Sequence, residues 1–299
     1  MTQPTEVREN PIAVTERSGV LFPDRLARYA AGWIAPEAAV SAVVDHYWHV
    51  SWALDDGESL DQPIIDLPAV TVTIEEGDAP APLVVTGVHA RAWRRTISGT
   101  GRVFAIRLRP AGLAVLSDLT PERVADATVP LTAELDERLH TLMVAVGTET
   151  DPIERARVAG RAIRERLAER PPTATGLLAG EVVDELRERV RRRTGPALAE
   201  RFACSERTIQ RALTESLGHG PKWISRRIRL QEVALALATR PIDDLAAIAT
   251  ELGYSDQSHL TRDFRTTTGL TPDAYRHAVG SLAASSRDAP AVTPPRTQR

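Results

Sequence analysis

The sequence predicts two domains of different class: an α+β domain, a β-rich barrel or sandwich followed by helices, and then an all-α domain with two helix-turn-helix units. Three observations carry this. Apolar residues alternate with a period of two between about residues 40 and 109, and they follow a helical period from about 110 onward. The helical part then holds two similar helix, turn, helix patterns, at 196–218 and 242–269. A chain of 299 residues has room for both cores.

Charge divides the chain in a similar way. Residues 1–152 hold 12 Arg and no Lys against 22 Asp and Glu, a net of −10, while 153–299 hold 25 basic against 18 acidic residues, a net of +7. An acidic half before a basic one suggests that the second half meets a polyanion. The single cysteine, Cys204, excludes an internal disulfide framework and a zinc site of several thiolates, and it fits a reducing compartment. No stretch approaches the roughly 18 apolar residues of a membrane span, and MTQPTEVRENPIAVTERSG lacks an apolar signal region. The expectation is a cytoplasmic protein with no membrane partner.

Taken in order, residues 1–19 are polar with Pro and Gly and read as a disordered tail. The β-rich domain is placed at 20–170. In it VVDHYWHVSWAL puts Trp48, Val50, Trp52 and Leu54 on one side, AVTVTIEE puts Val70, Val72 and Ile74 on one side, and PLVVTGVH and RVFAIRLRP are rich in β-branched residues. SGTG at 98–101 reads as a hairpin connection. TAELDERLHTLMVAV and PIERARVAGRAIRERLAER follow as amphipathic helices, the second with alternating Glu and Arg on a solvated or dimer-facing surface. RPPTATG breaks the pattern, so a linker is set at 171–176 and a second domain at 177–280. The Pro-rich 281–299 reads as another disordered tail.

In the second domain, PALAERFACSERTIQRALTESLG gives a short helix, a turn near Cys204, an N-cap at Ser205 and a helix ended by Gly218. IDDLAAIATELGYSDQSHLTRDFRTTTG gives a helix, a turn at Gly253, an N-cap at Ser255 and a helix ended by Gly269. Ile209 and Leu213 share one stripe, which turns Arg207, Arg211 and Thr214 outward with Gln210 at the flank. Leu260 and Phe264 share the other, which turns Ser258, His259 and Arg262 outward with Gln257 at the leading turn. Arg, Gln, Ser and His at the start of an exposed helix are side chains that read base edges. Between the units, Pro221 to Pro241 bounds a helix of roughly 19 residues, about 28 Å at about 1.5 Å per residue. Successive major-groove faces lie about 34–36 Å apart, so one rigid helix can hold two reading helices in adjacent grooves.

LAAIATELGYSDQSHLTRDFRTTTGLTPDAYR (245–276) resembles the signature of AraC-type transcriptional regulators, and GHGPKWISRRIRL (218–230) fits its less constrained part; together with the first unit the resemblance covers about a third of the chain. It implies a seven-helix bacterial domain that binds a double-stranded DNA operator. It places base contacts on Arg207, Gln210, Arg211, Thr214, Gln257, Ser258, His259 and Arg262. It also brings in further partners: RNA polymerase, an unidentified small-molecule effector and a second copy of the chain. Cys204 departs from the family, whose first turn more often carries Gly or an aromatic. YWHV and GVHARAWRRTISGTGRVFAIRLRPAGLAVL resemble a group of these regulators whose β-rich N-terminal domain has no assigned function.

Catalysis has no motif to carry it, and no cofactor is expected. His46, His49 and His89 fall in strand-like segments, but residues three apart on a strand point to opposite faces, so no metal site is expected. The reading is therefore a sequence-specific DNA-binding regulator with an effector-sensing or dimerising first domain. The alternative is an enzyme whose β-rich domain transforms a small molecule and uses DNA binding for autoregulation.

Overall fold

The computed structural model describes residues 29–79, 81–192, 196–240 and 244–287. The expected tail at 1–19, and the part of the second tail beyond residue 287, lie outside them. The β-rich domain is built on a six-stranded antiparallel sheet. In chain order the strands are β1 (Tyr29–Ile34), β2 (Val44–Ala53), β3 (Ser59–Ile64), β4 (Thr71–Gly77), β5 (Leu83–Thr86), β6 (Trp93–Ser98), β7 (Thr100–Leu108) and β8 (Thr128–Pro130). The sheet order is β1-β2-β7-β4-β5-β8, and β3 pairs with β6 as a separate two-stranded ribbon.

Alternation along the strands sends side chains to two different cores. Tyr47, Val70, Val72, Ile74, Phe104, Ile106 and Leu108 face the helices α1 (Gly112–Leu116), α2 (Glu137–Gly147) and α3 (Pro152–Glu169), where Leu139, Leu142, Met143, Val146 and Ile163 close the larger core. Trp52, Leu54, Ile97 and Val103, with half-buried Trp48, Val50 and Leu60, form the smaller core under the ribbon. The face expected for β2 is thus this smaller one, and the opposite parity, through Tyr47, feeds the larger. On the ribbon side Glu75 is buried, and it is matched there by Arg95 and by the Thr73 hydroxyl, which donates at 2.9 Å.

The hairpin expected at SGTG is not formed. β6 pairs with β3, and β7 with β2 and β4, so residues 98–101 are a corner where the chain passes from ribbon to sheet. Trp52 causes this. Its indole N–H donates to the Ser98 carbonyl at 3.0 Å, and its ring lies where a Cβ on Gly101 would come within 2.3 Å of it.

The all-α domain comprises α4 (Ala174–Arg192), α5 (Leu198–Arg201), α6 (Glu206–Leu217), α7 (Pro221–Thr239), α8 (Leu245–Glu251), α9 (Gln257–Thr268) and α10 (Pro272–Arg287). Two differences from expectation concern its ends. α4 takes in 174–176, read as linker, because the Thr173 hydroxyl accepts from the Gly176 N–H at 3.1 Å and starts the helix there. α10 runs to Arg287, through the first seven residues of the expected second tail, since SLAASSR holds no Pro or Gly to stop it.

The domains are joined by polar groups as well as apolar ones. Arg109 of the first pairs with Asp184 of α4, and Asp45 sits 3.5 Å from Arg107 and 3.7 Å from Arg187. Burial alone would raise the Asp45 carboxyl, but the His46 ring and these two guanidinium groups outweigh it and hold it well below the usual carboxylate range.

Burial lowers the pKa of three histidines, His46, His89 and His219. Each takes a proton less readily in the folded chain than in the unfolded chain, where it does so near its ordinary pKa of about 6.5. Below that pH the unfolded state binds more protons, so stability present above it is lost on acidification. The urea midpoint is expected to fall between pH 7.5 and 5.5, before any carboxylate contributes. A midpoint constant across that range contradicts the burial of these rings.

Candidate nucleic-acid interface

Each helix-turn-helix is fixed by local chemistry. In the first, the Ser205 hydroxyl accepts from the Thr208 N–H at 3.1 Å to cap α6, and Gly218, at φ 75°, ends it with its N–H on the Thr214 carbonyl at 2.8 Å. In the second, Gly269, at φ 79°, ends α9 in the same way, with its N–H on the Arg265 carbonyl at 2.9 Å. The cap of α9 is Asp256, not Ser255. The carboxylate accepts from the His259 N–H at 2.7 Å, which holds Asp256 below its usual pKa, while the Ser255 hydroxyl turns to the His259 ring at 3.1 Å.

The two turns correspond closely. The Cys204 N–H donates to the Ala199 carbonyl at 3.0 Å, and the Tyr254 N–H donates to the Ala249 carbonyl at 2.9 Å. Cys204 therefore matches Tyr254, and the left-handed residue matching Gly253, at φ 75°, is Ala203, at φ 47°. A Cβ in that conformation costs about 1–2 kcal/mol, part of which glycine returns as lost chain entropy. Ala203→Gly is expected to raise stability by about 0.5–1 kcal/mol in urea denaturation. A destabilised variant would contradict the strain.

The buried stripes are Ile209, Ala212, Leu213 and Leu217 on α6, and Leu260, Asp263, Phe264 and Thr267 on α9. Arg207, Gln210 and Arg211 are exposed and Thr214 is half-buried; Gln257, Ser258, His259 and Arg262 are all exposed. Gln210 donates to the Thr214 hydroxyl at 3.2 Å, and Arg211 lies 3.8 Å from Glu215. On α9, Gln257, Ser258 and Arg262 line an open cleft of about 750 Å³, together with Arg265, Thr266 and Thr271. His259 is outside this lining and packs edge-on against Tyr254, with ring centroids 5.2 Å apart.

Arg265, Thr266 and Thr271 were not picked out by base-reading chemistry. They add one cation and two hydroxyls, groups of the kind that can contact phosphate, to the exposed side of α9. Asp263 is the other omission. It is buried, pairs with Arg226 of α7 and accepts from the Tyr254 hydroxyl at 3.0 Å, so it ties α9 to both the turn and the spacer helix. Burial, with this carboxylate behind it, drives the Tyr254 hydroxyl far above its ordinary pKa. The signal was present in the sequence as a carboxylate adjacent to Phe264 and three residues after Leu260, on the apolar stripe itself.

Among the described residues, no group of three or more His, Cys, Asp or Glu is placed to hold a metal ion. His46 and His49 lie on β2, and His89 lies past the end of β5, stacked 5.5 Å from Trp93. Cys204 is a half-buried free thiol beside the Ser205 cap.

Residues 198–278 match a family described as a helix-turn-helix domain, and residues 33–130 match a domain of unknown function (DUF6597). The HTH-type transcriptional activator RhaS of Pectobacterium carotovorum is 33% identical over 81 residues, which are 27% of this chain and 29% of that protein. RhaS of Pectobacterium atrosepticum is 32% identical over 80 residues, and the chain spans under a third of the length of either relative. A 1.65 Å structure of ToxT from Vibrio cholerae aligns with 77% of this chain and 98% of its own, at 9% identity and a TM-score of 0.40. The C-terminal part of the chain thus matches a helix-turn-helix domain of the AraC type, and the N-terminal part matches a domain of unknown function.

Proposed function

We propose that this protein is a bacterial transcriptional regulator that reads double-stranded operator DNA with α6 and α9 in adjacent major grooves. The observation that carries this is the pair of capped helices with exposed Arg, Gln, Ser and His, both packed on the 19-residue α7. The match to transcriptional activators over this segment supports it. In this reading Arg207, Gln210, Arg211, Thr214, Gln257, Ser258, His259 and Arg262 face base edges, and Arg265, Thr266 and Thr271 face phosphate. The β-rich domain senses a small-molecule effector or pairs two copies, and RNA polymerase is the downstream partner. The protein works in the cytoplasm; no helix among the described residues is long and apolar enough to cross a membrane.

The test is selection of bound genomic fragments with the full-length protein at near-physiological salt. A motif of two blocks about one helical turn apart is the expected result. Binding that is weak and indifferent to sequence at every salt concentration would sink the proposal.

A further inference from the structure

The two helix-turn-helix units have separate hydrophobic cores. Ile209, Leu213, Ile224 and Ile228 belong to one, and Leu237, Ile248, Leu260 and Phe264 to the other, with α7 contributing to both. A single helix is therefore shared between two bodies.

The segment between β3 and β4 lies across this junction. Ile65, 1% exposed, enters the core of the second unit, and two residues later Leu67, with Val88, enters the core of the first. Between them the Asp66 carbonyl accepts from the Arg227 guanidinium at 2.8 Å, and the Ile65 carbonyl accepts from the Gln231 amide at 2.5 Å. Both donors are buried residues one turn apart on α7. The segment is itself anchored from the β-rich side: Arg107 donates to the Leu67 carbonyl at 2.6 Å, and the Trp93 indole donates to the Asp66 carboxylate at 2.6 Å.

The same domain also touches each reading helix at its far end. The Ala92 N–H donates to the Thr267 carbonyl near the end of α9 at 2.8 Å, and the short turn at Pro121–Arg123 packs on α6, with Pro121 beside Gly218. The starts of both helices, where Arg207 and Gln257 sit, are left exposed.

We infer that the N-terminal domain is a positioning part of the DNA-reading apparatus: the 65–67 segment and Ala92, through Arg227 and Gln231 of α7, set the distance and phase between α6 and α9, and so the spacing between half-sites that the protein accepts. This rests on the function proposed above. It assigns the domain a role in the bound state that needs no effector and does not cover the reading surface.

The experiment uses the full-length protein and a duplex library in which the two selected blocks are separated by a graded series of spacings. Gln231→Met removes one hydrogen bond while keeping bulk on α7; Ile65→Ala removes the apolar anchor. Wild type is expected to prefer one spacing over its neighbours by about tenfold or more, and both variants to narrow that preference to within about threefold with the base preferences inside each block unchanged. Should Ile65→Ala fail to fold by circular dichroism, the Gln231→Met profile alone decides. A folded variant with the wild-type spacing profile, or a wild type indifferent to spacing, overturns the inference while leaving the proposed function intact. Absence of any sequence-specific binding by wild type instead overturns the proposed function, and this inference falls with it.

Discussion

Phe264→Ala is expected to cost about 3–5 kcal/mol of stability, most of what a domain of this size has to lose. Phe264 is fully buried, its ring lies 5.5 Å from that of Tyr275, and Leu260, Ile248 and Ala249 share its cluster. Truncation removes the transfer energy of the ring and leaves a cavity that two short helices anchored by Asp263 cannot close. The neighbouring exposed positions on α9 should hold the domain in place when replaced, and Val144→Ala, on the outer face of α2, should change stability by less than about 0.5 kcal/mol. Urea denaturation followed by circular dichroism measures all of these. A Phe264→Ala variant within about 1 kcal/mol of wild type would mean that α9 is not packed as described.

Arg262→Ala should weaken operator binding by about 1–3 kcal/mol, roughly 5- to 150-fold, and relax specificity at one base position. Arg211→Ala should do the same in the other block. Arg211 must first release Glu215, but an exposed pair four residues apart on a helix is worth only about 0.3–0.5 kcal/mol, so the loss remains measurable. Arg265→Ala is the informative contrast. If it faces phosphate, affinity should fall uniformly across sequences and the salt dependence should flatten by about one unit of slope, with base preference unchanged. Titrations at several salt concentrations, on the selected site and on single-base variants of it, separate the two classes. Wild-type affinity and specificity in both Arg262→Ala and Arg211→Ala would defeat the assignment of these helices as readers.

The parts legible in the sequence are those in which the signal is local. A 3.6-residue period with apolar pairs four apart places Ile209, Leu213, Leu260 and Phe264, and the glycines at 218 and 269 end their helices, so the buried and exposed faces of α6 and α9 follow from spacing alone. The N-cap of α9 was less determined, because Ser255 and Asp256 are adjacent and both can cap; the charged one does so. What depends on distant chain could not be read. SGTG has the composition of a hairpin loop, and only the Trp52 ring over Gly101 turns it into a corner. PIIDLPAV, with a proline near each end, has no periodicity, yet it delivers Ile65 and Leu67 to α7, more than 150 residues away in the chain. α4, by contrast, was legible by the same rule as α6 and α9, since Ala179, Val182, Val183, Leu186 and Val190 keep the helical period.

The 65–67 segment has a bearing on how this protein can be taken apart. A two-domain chain invites chimeras in which the first domain is exchanged for another at the linker, on the assumption that the second is complete in itself. Here that cut would strip Ile65 from one core and Leu67 and Val88 from the other, and leave the Arg227 guanidinium and the Gln231 amide facing water across α7. A transplant has to bring its own substitute for Ile65 and Leu67, or replace Arg227 and Gln231 by shorter polar residues and accept a looser joint. The same constraint acts on any exchange of the first domain: the newcomer has to present apolar side chains to both cores that meet along α7, as Ile65, Leu67 and Val88 do here.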